Sequence, residues 1–158
     1  IFYLIILDEF RIFPVFHYDD PETLVLFQFV RFLKSNLQFP GKHLINSFVL
    51  GNPHESIFPA IYGAAEIKDV SALGIIESYD ASSIIVAADE AAKTAIVDLI
   101  EVRLARGMCG KSYLMLTGEV AAVEAAIDRA KEAVSDDGMY LDSAVIAHPD
   151  AQIRDAIL

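Results

Sequence analysis

The sequence predicts an α+β protein made of two unequal, repeated units, and three observations support this. Apolar periodicity switches between strand-like and helix-like segments all along residues 70–158. Composition changes midway: all ten phenylalanines lie at or before Phe58, and the rest of the chain is rich in alanine and short aliphatic residues. Finally, LINSFVLGNPHESIFPAI (residues 44–61) aligns without a gap on YLDSAVIAHPDAQIRDAI (residues 140–157). Ser47 falls on Ser143, Val49 on Val145, Pro53 on Pro149, and Ile57, Ala60 and Ile61 on Ile153, Ala156 and Ile157, a self-similarity that marks an internal duplication.

The second unit reads element by element. VSALGIIES (70–78) is an apolar strand. DASSIIVAADEAAKTA (80–95) spaces Ile84, Ile85, Ala88 and Ala92 for one helix face, with Asp80 or Ser82 placed to cap. IVDLIEVRLA (96–105) alternates apolar and polar residues, the period of a half-buried strand. SYLMLTG (112–118) is its hairpin partner across RGMCGK. EVAAVEAAIDRAKEAV (119–134) is an amphipathic helix with Val120, Val123, Ala126, Ile127 and Ala130 on one face. YLDSAVIAHP (140–149) is a strand stopped by proline, and DAQIRDAIL is a short last helix. The order β-α-β-β-α-β-α predicts an α+β sandwich of ferredoxin-like size.

The first unit repeats only the later part of this pattern. DPETLVLFQFVRFLKS (20–35) takes the place of the helix at 119–134, and its apolar residues on more than one face are expected to serve core packing. IFYLIIL and FRIFPVFHY are expected to be the two hairpin strands. On this reading the first copy, residues 1–63, lacks its opening strand and helix; residues 64–69 are a linker, and 70–158 are a complete copy.

Composition excludes several functions. The chain has 158 residues, 54% of them hydrophobic, and a net charge of −11. No basic stripe is present to neutralise phosphates, so nucleic acid is not expected as a partner. The opening IFYLIIL meets Asp8 and Glu9 too soon to span a bilayer, and it lacks the basic start and cleavage site of a signal peptide. One cysteine gives no disulfide framework and suits a reducing cytoplasm. The chain opens on Ile1 rather than Met, and the expectation is that its natural start lies upstream.

The Gly110-Lys111-Ser112 triplet invites a phosphate-loop reading that fails on spacing. That motif needs a glycine at position 105, where Ala105 stands, and a helix after the lysine, where SYLMLTG reads as a strand. His17, His43, His54 and His148 are scattered without metal-ligand spacing, and Asp136-Asp137 before Gly138 reads as a turn. No arrangement places a nucleophile beside a base, so no enzyme is expected.

ALGIIES, AADEAAKTAIVDLIEVRLARGMCGKSYLMLTGEVAAVEAAIDRA and DSAVIAHP strongly resemble the bacterial microcompartment shell domain. The duplication resembles the tandem-domain, trimeric shell proteins of that family, and among them the propanediol-utilisation type with an iron–sulfur cluster on its symmetry axis. The match covers residues 70–158, is good over 44–63, and is only topological before that. It implies a flat pseudohexameric disc of three two-domain chains, tiling edge to edge with its own copies and with other shell proteins.

The resemblance further implies that the loop between the hairpin strands faces a central pore for metabolites or electrons. Cys109 then falls on the narrowest pore position, with Gly107, Met108 and Gly110 beside it. Lys93 occupies the family's edge-lysine position. His148-Pro149 and Asn52-Pro53 fall on the matching ends of the last strands, although the family often has an arginine where His148 stands. The first hairpin turn, LDEFRIF, departs from the pattern because it has no glycine.

Two alternatives remain at this stage, a redox carrier with an iron–sulfur cluster at Cys109 and an oligomeric ligand-binding regulator on a ferredoxin-like domain. Three chains around an axis would bring three Cys109 thiols together, but in the iron–sulfur relative the cluster cysteine lies in the first domain. A lone cysteine without supporting ligands otherwise reads as a small uncharged pore residue, with a free thiol and no cofactor.

Overall fold

Pairing of the strand at Ala72–Ser78 with two neighbours organises the second unit. The structure, a computed structural model, describes residues 2–6, 12–17, 49–104 and 108–157. In chain order the elements are β1 (Phe2–Ile6), β2 (Ile12–His17), β3 (Val49–Gly51), α1 (Ile57–Tyr62), β4 (Ala72–Ser78), α2 (Ala81–Thr94), β5 (Val97–Arg103), β6 (Ser112–Gly118), α3 (Val120–Ser135), β7 (Tyr140–Ile146) and α4 (Ala151–Ile157). The chain divides into two compact units, Ile1–Pro53 and His54–Leu158. That division lies upstream of the linker read at 64–69, because α1 packs on β5 and α2 of the second unit.

The second unit is a four-stranded antiparallel sheet in the order β5-β6-β4-β7. Each predicted element forms. Asp80 caps α2 by accepting a 2.6 Å hydrogen bond from the Ser83 N–H, which satisfies one of the donors every helix start leaves open. Ile84, Ile85, Ala88 and Ala91 of α2 are fully buried, as are Val123, Ala126 and Ala130 of α3. Ile76, Leu99, Val102, Leu114 and Leu116 are the buried strand residues beneath the helices.

At Gly74 helix α3 packs tightly on the sheet. A Cβ placed there would lie 2.8 Å from Leu116 Cδ1, 2.8 Å from Val123 Cγ1 and 3.0 Å from Ile127 Cγ1. All three neighbours are buried, so none can swing aside. Over the other face, Val70, Leu73 and Ile100 form a smaller cluster against Ile67, Ile75, Met115 and Ile157.

Strand β5 departs from the predicted alternation. Its register shifts between Leu99 and Glu101, leaving Ile100 as the extra residue of a bulge. Leu99 and Ile100 are therefore adjacent and both buried, with Ile100 in the smaller cluster. Ile96 falls outside the strand and is 95% exposed.

The described part of the first unit corrects one expectation. β1 and β2 do pair as an antiparallel hairpin, but the sheet order is β2-β1-β3, with β1 in the middle. Leu4 pairs with Leu50 and Ile5 with Val49. In the second unit the aligned residues Ile146 and Val145 pair with Leu73 and Gly74 of β4. β1 thus stands in the place of the opening strand, and β2 in that of β6. An apolar run shows which residues face a core, but it does not name the neighbouring strand. The helix expected at residues 20–35 lies outside the described residues.

Gly74→Ala is expected to destabilise the second unit by about 1–3 kcal/mol, the cost of overpacking a dense core. Urea unfolding checks this; an unchanged midpoint would mean that α3 is free to move off the sheet.

Candidate functional site

In the loop joining β5 to β6, residues 108–111 form a tight turn closed by a 3.2 Å hydrogen bond from the Lys111 N–H to the Met108 carbonyl. Cys109 has φ 55° and Gly110 φ 93°. A non-glycine residue at positive φ is uncommon, and two consecutive positive values reverse the chain within one step. Glycine at 110 serves this backbone conformation and not space, since its missing Cβ would meet nothing nearer than the Tyr79 carbonyl at 3.7 Å. Cys109 is exposed with a free thiol, Met108 is half-buried, and Gly107 lies outside the described residues. Ser112 begins β6, opposite Ser78, so no helix follows Lys111 and a phosphate loop is ruled out.

Three side chains lock the base of this hairpin. Arg103 and Tyr113 are register partners, the pair of β5 and β6 nearest the turn. The Arg103 Nε and Nη2 groups both donate to Glu101 Oε1, at 2.9 and 2.5 Å, and the Tyr113 hydroxyl donates to Glu101 Oε2 at 2.7 Å. The guanidinium also lies 5.9 Å from the Tyr113 ring centre, within cation–π range. Burial, and then the hydrogen bond to Glu101, raise the Tyr113 phenol above its ordinary range. The same carboxylate holds Arg103 still more firmly protonated, first through its hydrogen bond and then through its charge.

Strand register places the other candidate residues at the far end of the sheet. Ser78 pairs with Ser112 beside the turn, whereas Ala72 pairs with Gly118, Val97 with Gly118, and Leu73 with Ile146 at the opposite end. Helix α2 starts after Ser78 and ends where β5 begins, so Lys93 in its last turn belongs to this second end. His148, exposed, and Pro149, buried, follow Ile146 there. Seven-residue strands separate the two ends by about 20 Å.

At this end Lys93 is not simply solvated. Its Nζ lies 2.5 Å from Asp89 Oδ2, and Asp89 is 1% exposed. The other carboxylate oxygen accepts a 2.8 Å hydrogen bond from the His54 N–H, and the His54 Nδ1 meets the Ser56 hydroxyl at 2.8 Å. Asn52, exposed with φ 59°, and Pro53, buried, directly precede His54 in the chain. Sequence reasoning missed Asp89 and the Glu101–Arg103–Tyr113 network. The spacing of Asp89 and Lys93, four residues apart on a helix, was the available signal for the first. Glu101 and Arg103 lie two apart on one strand, which puts both on the same face.

Most of the second unit is similar to known proteins. Residues 72–149 match the BMC domain. That segment is a match to a single bacterial microcompartment domain. The chain is 37% identical over 109 residues to the bacterial microcompartment shell protein PduT of Citrobacter freundii, covering 69% of this chain and 59% of that protein. A microcompartment protein from Desulfitobacterium hafniense DCB is 41% identical with a TM-score of 0.67, over 72% of this chain and 63% of that one. The chain thus spans about three fifths of the length of these relatives.

An iron–sulfur cluster at the turn does not fit the donor set of one chain. Clusters are ordinarily held by four thiolates. Cys109 is the single cysteine of the sequence, and among the described residues no three His, Cys, Asp or Glu side chains gather as ligands.

The raised Tyr113 phenol favours folding in its protonated form. That contribution is complete below the ordinary tyrosine range and is lost as pH rises through the folded-state value. In a spectrophotometric titration, Tyr113→Phe should remove a late-ionising tyrosine, and Glu101→Gln should return it toward the ordinary range. Loss of an ordinary-range tyrosine instead would show that the network does not persist in solution. In the same native protein, an exposed Cys109 should be fully alkylated without denaturant.

Proposed function

We propose that the chain is a structural tile of a bacterial microcompartment shell and not an enzyme. Three copies would surround a threefold axis, each contributing a partial first domain (1–63), a linker (64–69) and a complete second domain (70–158) to a pseudohexameric disc. The turn at Gly107, Met108, Cys109 and Gly110 would face the axis and line a pore for small molecules. Lys93, with His148, Pro149, Asn52 and Pro53, would face neighbouring tiles, including other shell proteins.

The observation that carries this reading is the separation of the two groups. A disc subunit needs one set of residues at its hub and another at its rim, and the register puts the turn and Lys93 at opposite ends of one sheet. Similarity to a shell protein supports the same role. β7 is an outer strand of its sheet, and Ile146 at its end and Ile153 of α4 are exposed, as expected of a subunit that buries surface against partners.

Sedimentation or light scattering should give a trimer; a stable monomer at micromolar concentration would contradict the reading. Lys93→Ala should keep the trimer, at a stability cost of about 1 kcal/mol, because its ion pair is partly solvent-screened. Edge contacts repeat across a sheet, so small losses multiply. The variant should form sheets or tubes in the electron microscope far less readily than the parent, and equal assembly would remove Lys93 from the edge.

A further inference from the structure

We propose that Asp89 is a positioning residue that pre-organises Lys93 for contact with a second copy of the chain; this rests on the tile-edge reading above. A lysine carries a flexible four-carbon stem, and fixing it in an interface costs rotamer entropy. Here that cost falls within the folded subunit, before any neighbour arrives. Asp89 is 1% exposed and both its oxygens are engaged, Oδ2 by Lys93 Nζ at 2.5 Å and Oδ1 by the His54 N–H at 2.8 Å.

An ordinary helix-surface pair four residues apart links two solvated side chains and leaves both mobile. This one differs on two counts. Its acid is buried, and the acid is tied to a backbone N–H 35 residues away in sequence, ahead of α1. The carboxylate is therefore a fixed anchor and the lysine is the half-exposed member, at 38%. An ammonium has three donors, and Asp89 takes one, so donors remain to meet carbonyls on a neighbouring tile.

Asn at position 89 separates this role from a purely structural one. Its amide oxygen can still accept from the His54 N–H, while its charge and its acceptor for Lys93 are gone. Sheet assembly of the full chain is followed by light scattering and electron microscopy for the parent, Asp89→Asn, Lys93→Ala and the double variant. Trimer state and Tm are measured in parallel. Asp89→Asn should leave the trimer intact and raise the assembly threshold about tenfold, the factor set by one charge-assisted hydrogen bond. In the Lys93→Ala background it should raise the threshold no further, since it acts through that lysine.

A parent-like threshold for Asp89→Asn overturns the positioning role. So does an equal increment in both backgrounds. If Lys93→Ala itself assembles like the parent, the tile-edge reading fails, and that result is distinct from either of the others. A second measurement is independent of any variant: side-chain NMR of the unassembled parent should show an ordered Lys93 ammonium, and a freely rotating one overturns the proposal.

Discussion

The close approach of α3 to β4 at Gly74 is the contact on which the rest of the second unit depends. With no side chain at that point, Leu116, Val123 and Ile127 converge on the space a Cβ would fill. Helix α2 then packs beside α3, and their outer sides are joined by Arg129 and Glu90 at 2.7 Å. Burial supplies the driving force for this layer, and the ion pair, partly exposed on both sides, adds little.

Once the helices are seated on the sheet, chain direction fixes the ends. A helix that leaves the β4 end beside the hairpin turn must finish at the other end before β5 can begin. The turn and the last helical turn of α2 are therefore held apart by the length of the strands. Each end is then stiffened by its own polar network. Glu101 ties Arg103 to Tyr113 behind the turn, and Asp89 ties Lys93 to the backbone ahead of α1. Both networks use a carboxylate as the shared acceptor, and charge-assisted bonds of this kind are short and directional.

Much of the second unit was legible in the sequence because local signals and global fold agree there. Asp80 sits where a cap is needed, and the apolar residues of both helices keep helical spacing. The bulge was not legible, since the adjacent apolar residues Leu99 and Ile100 fit a plain strand as well as a kinked one. Nor was the place of β1 in the first sheet, because strand neighbours are set by long-range pairing. At the candidate site, the turn and Lys93 were visible through resemblance. Asp89 was hidden because a charged residue in a helix reads as solvated until the fold buries it.

We propose a direction for the assembly, with residues 108–110 at its hub and Lys93 at its rim. Cryo-electron microscopy of the purified particle tests it most directly. Expected is a threefold disc with the β5–β6 turns around a central opening and the α2 C-termini at the perimeter. A particle without threefold symmetry, or one with those turns on its outer edge, would contradict it.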